Sequence, residues 1–143
     1  MATRRNSAPG PSGLQDWKGL IPAGHLRMRR ARERLGAESD GALAYCGDPA
    51  LLDSAPLTAL FCSRQCPGEL ILRAYDLARV LREAGAATIG GFHSPLEREM
   101  LHTLLRGQQP VVVCLGRALV GARLPAEWRA PLAESRLLVV SPF

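Results

Sequence analysis

The sequence predicts an α/β protein with three layers built around a mostly parallel sheet. Two apolar runs of strand length, PLTALFC at 56–62 and PVVVCLG at 110–116, are separated by stretches with the period of amphipathic helices. The second run is apolar at consecutive positions, as expected for a parallel strand covered on both faces. The order strand, helix, strand, helix, strand, helix, strand then implies right-handed crossovers, with helices on both faces of the sheet.

The first helix and the strand after it follow from periodicity. The helix is predicted at 69–85, because apolar residues recur along one face and charged residues along the other. Gly85 ends this helix, and residues 86–91 form the second strand. The apolar face consists of Leu70, Ile71, Ala74, Leu77, Ala78 and Leu81.

The second helix has a complete N-terminal signal in the segment SPLE. Ser94 is the N-cap, Pro95 occupies the first helical position, and Glu97 closes a capping box. Gly107 ends the helix. The segment is therefore predicted to begin a helix directly after the second strand.

The last crossover is less regular. Pro131 falls inside the helical pattern at 126–135, so a short, kinked or late-starting helix is expected there. The apolar run at 136–140 is predicted to be the fourth strand.

Composition and charge divide the chain into two parts. Residues 1–40 are expected to form a basic N-terminal arm, largely disordered or with a short helix, and residues 41–143 the folded domain. Eight basic residues against two acidic ones lie before Gly36, so the net charge of +5 belongs mostly to the arm. A solvated leader and a surface for nucleic-acid phosphates are the two interpretations of this arm. No apolar run reaches the roughly 20 residues of a membrane span, and a cytoplasmic location is expected.

The cysteines favour a structural role. Three of the four lie in or beside apolar segments, where a reduced cysteine acts as a small apolar residue. The alternative is a metal site formed by Cys62 and Cys66 with His93 or His102, but its spacing lacks the paired C-x2-C motifs of a zinc knuckle. We therefore expect neither a metal nor a cofactor.

Three turns after predicted strands carry groups suited to a phosphate. Ligands of open parallel sheets bind where the strands end, and the turns at 62–68, 90–94 and 115–118 combine a hydroxyl, arginines and glycines near helix N-termini. The fingerprints of dinucleotide-binding and P-loop sites are absent. The residues predicted to bind DNA or phosphate are Ser63, Arg64, Gly68, Gly90, Gly91, Ser94, Gly116 and Arg117.

No catalytic residue is predicted. His93 has no serine and carboxylate at a spacing that would form a catalytic set, so it is interpreted as a hydrogen-bonding or exposed residue. Glu97, the acidic residue of the second turn, is explained by the capping box. An enzyme is therefore not expected.

Read in order, the turns resemble those of the DNA-processing protein A (DprA/Smf) family of Rossmann-like domains, from about Gly47 to the C-terminus. CSR at 62–64 is similar to the family's Gly-Ser-Arg turn, and VVVCLGRAL to its Val-Leu-Gly-x-Gly-Leu turn. ATIGGFHSPLE is similar to the Ser-Gly-Leu-Ala-x-Gly-Ile-Asp turn, with Gly91, Phe92 and Glu97 on the glycine, leucine and aspartate. The resemblance adds Phe92 to the residues expected at the DNA or phosphate site.

The chain also departs from the family pattern. Cys62 and Gly90 replace a glycine and a serine, and Met100 and Leu101 stand where the family has an Ala-His pair. The sequence ends before the family's Arg-Asn-Arg segment, so a Rossmann-like domain that is incomplete at its C-terminus is expected. The Pro-Gly-Gly-x-Gly-Thr motif of the phosphoribohydrolases is absent as well.

The resemblance implies a protein that binds single-stranded DNA and assists in loading a RecA-type recombinase during DNA uptake. Arg64 and Arg117 would then contact phosphates, and a homodimer is compatible with this function. The alternative is a sensor or enzyme domain of the same group that binds a small nucleotide or phosphoribosyl ligand. A third interpretation is a fragment that exposes apolar surface beside its last strand and self-associates.

Overall fold

The computed structural model describes residues 18–21, 43–54 and 56–143. Within these residues, six strands form one sheet: β1 (Lys18–Ile21), β2 (Leu43–Gly47), β3 (Thr58–Leu60), β4 (Thr88–Gly90), β5 (Val111–Cys114) and β6 (Leu137–Ser141). The helices are α1 (Leu51–Ser54), α2 (Gly68–Glu83), α3 (Pro95–Leu105) and α4 (Arg129–Ala133), and a 3₁₀ turn at Ala126–Trp128 precedes α4.

The sheet has the strand order β1-β2-β6-β5-β4-β3. Strands β3 to β6 are all parallel, whereas β1 and β2 pair antiparallel at the β6 edge. Each step from β3 to β6 passes through a helix, as the alternating pattern predicted. The predicted fold class, an α/β domain with a mostly parallel sheet flanked by helices, is confirmed.

Helices lie on both faces of the sheet, as predicted, but among the described residues the crossover helices α2, α3 and α4 all pack on one face, with α1 on the other. Side chains from α2, α3 and the segment around α4 pack in one core cluster with Val111, Val113 and Val139. The opposite cluster contains Val112 and Leu138, with Leu51 and Leu52 of α1. Because β3, β4, β5 and β6 are neighbours in chain order, right-handed crossovers that all step the same way put their helices on the same face.

Strand β1 corrects the predicted boundary between arm and domain. Residues 18–21 lie inside the region predicted as an N-terminal arm, yet they pair along their whole length with β2. The pattern KGLI is too short to stand out as a strand, and its pairing depends on a partner more than twenty residues away. The remainder of the arm lies outside the described residues.

The residues at which α3 and α4 begin agree with the prediction. Ser94 caps α3 by accepting from the Glu97 N–H, Pro95 begins the helix, and both halves of the capping box form. Pro131 lies within α4, which begins only after the 3₁₀ turn, so the late start is confirmed. No helix in the described part of the chain is long and apolar enough to span a membrane.

Candidate nucleic-acid interface

Two adjoining clefts lie at the edge where the parallel strands end. The first cleft, of about 970 Å³, lies between the turn after β3 and the first turns of α2 and α3. The second cleft, of about 710 Å³, lies between the turn after β4 and the turn after β5. The lining of the first cleft is Ser63, Arg64, Gln65, Cys66, Pro67, Ile71, Tyr75, Pro95, Leu96, Arg98 and Glu99. The lining of the second is Gly91, Phe92, His93, Arg98, Leu101, Val113, Leu115, Gly116, Arg117, Leu124, Pro125, Glu127 and Trp128.

Three exposed arginines line the two clefts. Arg64 lines the first, Arg117 the second, and Arg98 of α3 lines both. None of the three forms an ion pair with a carboxylate of the described residues. The sequence prediction missed Arg98, because a single arginine on the polar face of a helix gives no sign that the helix separates two clefts.

Acidic residues also border the clefts. Glu99 lines the first cleft and Glu127 the second. The Glu127 carboxylate faces His102 Nδ1 at 3.4 Å, so a protonated imidazole would neutralise it. Three guanidinium groups thus face two carboxylates along this edge, and the charge is mixed rather than uniformly basic.

The Glu97 carboxylate joins two of the predicted turns. Its Oε2 accepts hydrogen bonds from the N–H groups of His93 at 2.8 Å and Ser94 at 3.0 Å. Its Oε1 accepts from the N–H of Cys62, 35 residues earlier in the chain, at 2.9 Å. Glu97 therefore does more than complete a capping box: it holds the turn after β3 against the turn after β4.

These bonds determine the ionisation of Glu97. Burial by itself would raise the pKa of the carboxyl group, but the hydrogen bonds from Ser94, Cys62 and His93 stabilise the anion. The pKa consequently lies below its ordinary value. The pKa of the Cys62 thiol is raised by burial and by the nearby Glu97 and Cys66, so Cys62 stays protonated at neutral pH.

Two N–H groups of the second turn are thus already used. The sequence predicts a phosphate site at this turn because it lies near a helix N-terminus, but the His93 and Ser94 N–H groups donate to Glu97. The Glu97 N–H donates to Ser94 Oγ at 3.2 Å. These three N–H groups are therefore not free to bind a phosphate while Glu97 and Ser94 accept from them.

The paired glycines provide space for side chains of the protein itself. A Cβ on Gly91 would lie 2.6 Å from Cδ2 of His93, and a Cβ on Gly116 would lie 3.7 Å from the same imidazole ring. A Cβ on Gly90 would meet the Phe92 ring at 3.2 Å. His93, interpreted from sequence as hydrogen-bonding or exposed, is exposed, and its ring lies beside Gly91 and Gly116 at the second cleft.

The remaining predicted residues differ in their exposure and in whether they line a cleft. Ser63 lines the first cleft and is exposed. Gly68 is exposed but lines neither cleft, while Gly90 and Ser94 are buried. Phe92 is buried with φ at 51°, an uncommon backbone conformation for a bulky residue, and its ring forms part of the second cleft. Tertiary structure therefore unites Ser63, Arg64, Gly91, Phe92, Gly116 and Arg117 along the clefts.

The alternative metal site finds no support at the cysteines. Cys62 Sγ lies 3.6 Å from Met100 Sδ, in the apolar layer beneath the turn, and Cys66 lines the first cleft. Within residues 43–54 and 56–143, no group of three histidine, cysteine or acidic side chains is placed to hold a metal ion.

The mostly parallel sheet, its helical crossovers and the clefts at its carboxyl edge define a Rossmann-like α/β domain. A similar fold occurs in DNA processing protein A of Helicobacter pylori, in a structure that describes its single-stranded DNA binding mode. The TM-score is 0.56 at 17% identity, and the match covers 75% of this chain and 49% of that one, so this chain spans about half the length of its neighbour. No family model matches the chain, and no curated protein sequence matches it. The resemblance inferred from the turns thus agrees at the level of the fold.

Proposed function

We propose that this protein binds single-stranded DNA along the two clefts, by contacts to phosphates rather than by catalysis. The observation that carries the proposal is the row of exposed guanidinium groups, Arg64, Arg98 and Arg117, on adjoining clefts at the carboxyl edge of the sheet. Guanidinium groups form paired hydrogen bonds with phosphates. The structural likeness to a protein that binds single-stranded DNA supports the same conclusion.

The test is the affinity for a mixed-sequence single strand, measured by fluorescence anisotropy at several salt concentrations. Replacing Arg64, Arg98 or Arg117 by alanine should weaken binding to every sequence and lower the slope of log affinity against log salt by about 0.7 for each phosphate that the variant no longer neutralises. The matched control is Arg129→Ala, because Arg129 is exposed and lines neither cleft. Salt-independent binding, or equal losses in the control, would contradict the proposal.

The proposal includes two protein partners, a RecA-type recombinase and a second copy of this chain. Leu77 and Val80 of α2 are 45% and 59% exposed, and Phe61 after the edge strand β3 is 85% exposed. Exposed apolar surface of this kind is typical of protein contacts. Sedimentation should detect a dimer that Leu77→Lys weakens, and a chain that stays monomeric at tens of micromolar would remove the second copy from the proposal.

A further inference from the structure

Strand β3 forms one edge of the sheet, and no strand of the described residues lies on its outer side. On the inner side, the Thr58 N–H donates to the carbonyl of Ala87, directly before β4, at 2.8 Å. Alternate residues of a strand direct their backbone groups to opposite sides, so the N–H and C=O groups of Ala59 face away from β4. The segment PLTALFC, 56–62, contains no charged residue. This edge therefore lacks the charges with which proteins commonly prevent pairing between edges.

One flank of α2 is apolar and exposed on the same side of the molecule. Leu70, Leu77 and Val80 are each about half exposed, and their spacing places them along one side of the helix. On the other flank, Ile71 and Tyr75 line the first cleft together with α3. Because α2 joins β3 to β4 and α3 joins β4 to β5 on the same face, the flank of Leu77 lies on the side of the free β3 edge.

We infer that a second copy of this chain binds here, with the two β3 strands paired antiparallel about a twofold axis at Ala59. The two sheets then become continuous, and the axis is perpendicular to them, so both α2 helices lie on the same face with their apolar flanks in contact. This inference rests on the second copy included in the proposed function and deepens it by naming the interface. The strand edge supplies hydrogen bonds, and the helix flank supplies apolar contacts.

The side chains of β3 and its neighbours suit this pairing. With the axis at Ala59, Phe61 of each copy lies opposite Leu57 of the other. Leu57 packs against the apolar cluster that contains Val112 and Leu138, and residues two apart share one face of a strand. Phe61, which is 85% exposed in the single chain, then extends this cluster from one copy into the next.

A second copy covers the strand edge and the helix flank at once, which a single extended peptide does not. The peptide would pair with β3 and leave Leu77 and Val80 in water, whereas every copy of this chain carries α2 beside β3. The charge of the flank also permits contact with a copy of itself. The Arg73 guanidinium is paired with Glu69 at 2.6 Å, so the second copy meets a neutralised ion pair.

The experiment removes the outward N–H of Ala59 and measures dimerisation by sedimentation equilibrium over a range of protein concentrations. Proline is tolerated in an edge strand where its missing N–H faces solvent, so Ala59→Pro should leave the pairing of β3 with β4 intact. The dimer dissociation constant should rise about 4- to 100-fold, because two twofold-related hydrogen bonds are lost and each is worth about 2- to 10-fold. The matched control is Ala59→Ser, which retains the N–H and should stay within about twofold of the wild type.

A second variant tests the same interface through a side chain. Phe61→Glu changes a residue that is exposed in the single chain, so the fold should be unaffected. In the dimer it sets a carboxylate against Leu57 of the other copy, and the dissociation constant should rise at least about tenfold, as expected for burying an unpaired charge. Circular dichroism and the melting temperature verify that each variant is folded, and Phe61→Glu decides if Ala59→Pro is not.

The outcomes for dimerisation are separate from those for DNA. A wild type that stays monomeric overturns the interface and the second copy together, and a dimer that either folded variant leaves intact overturns the interface alone. Ala59 lines neither cleft, so Ala59→Pro should keep the wild-type affinity for a short single strand in fluorescence anisotropy. If the wild type binds no single strand, the proposed DNA binding is wrong, and sedimentation still decides the interface.

Discussion

At the scale of single residues, Glu97 is the side chain on which the geometry of the site depends most. The anion bridges N–H groups of two turns that belong to different crossovers. A carboxylate with three N–H donors is a bound anion supplied by the protein itself, so these three donors are not free to bind a phosphate.

Replacing Glu97 by alanine should leave three N–H donors without an acceptor. We expect the free energy of unfolding to fall by about 2–4 kcal/mol, because unpaired buried donors cost about 1–3 kcal/mol each and partial access of water reduces the sum. Phosphate or formate at tens of millimolar should then raise the melting temperature of the variant more than that of the wild type. The control is Glu83→Ala, and an equal response of both variants to the anions would refute the bridging role.

The lowered pKa of Glu97 predicts a specific dependence of stability on pH. A carboxyl group whose pKa is depressed in the folded state contributes stability above its unfolded value, 4.5 in this case, and loses that contribution as the pH falls through the folded pKa. Urea unfolding of wild type and Glu97→Gln between pH 7 and pH 3 should therefore show a steeper loss for the wild type. Parallel curves would mean that the folded-state pKa is not depressed.

At the scale of elements, α3 is the helix that organises both clefts. Its first turn carries the capping box that fixes Glu97, and its next residue, Arg98, borders both clefts. The capping box was predictable because it involves only residues three apart. The hydrogen bond from the Cys62 N–H to Glu97 was not predictable, because no local pattern in the sequence specifies which strand lies beside β4.

The cap of α3 can be tested separately from the bridge. Ser94→Ala removes the acceptor for the Glu97 N–H, and we expect a loss of about 1 kcal/mol in the free energy of unfolding. Ser94→Gly should cost only a few tenths of a kcal/mol, because glycine is tolerated at N-caps. Chemical denaturation measures both, and a Ser94→Ala variant as stable as the wild type would show that the hydrogen bond to the Ser94 hydroxyl adds nothing to stability.

At the scale of the whole molecule, the site belongs to an edge formed by strands that all run the same way. Because β3, β4 and β5 are parallel neighbours, their carboxyl ends meet, and Arg98 lines both of the clefts at this edge. An edge of this kind suits an extended polyanion with several phosphates better than a single one.

This arrangement predicts which ligands stabilise the folded protein. Short single-stranded oligonucleotides should raise the melting temperature, with a larger shift at low salt. Free nucleoside monophosphates and inorganic phosphate should give little shift, because the His93 and Ser94 N–H groups before α3 already donate to Glu97. A strong shift by a mononucleotide, and none by DNA, would favour the alternative of a small nucleotide or phosphoribosyl ligand.

Three features could be predicted from the amino-acid sequence alone: the order of strands and helices from 56 onward, the capping box of α3, and the turns that would carry polar groups. They depend on neighbours within a few residues, so a local pattern contains them. Three others emerged only from the packing of the chain. The crossover helices share a face, the exposed His93 ring lies beside both Gly91 and Gly116, and Tyr75 lines one cleft with Arg64 and Arg98. Strand order and helix packing set these contacts, and both join residues that are far apart in the chain.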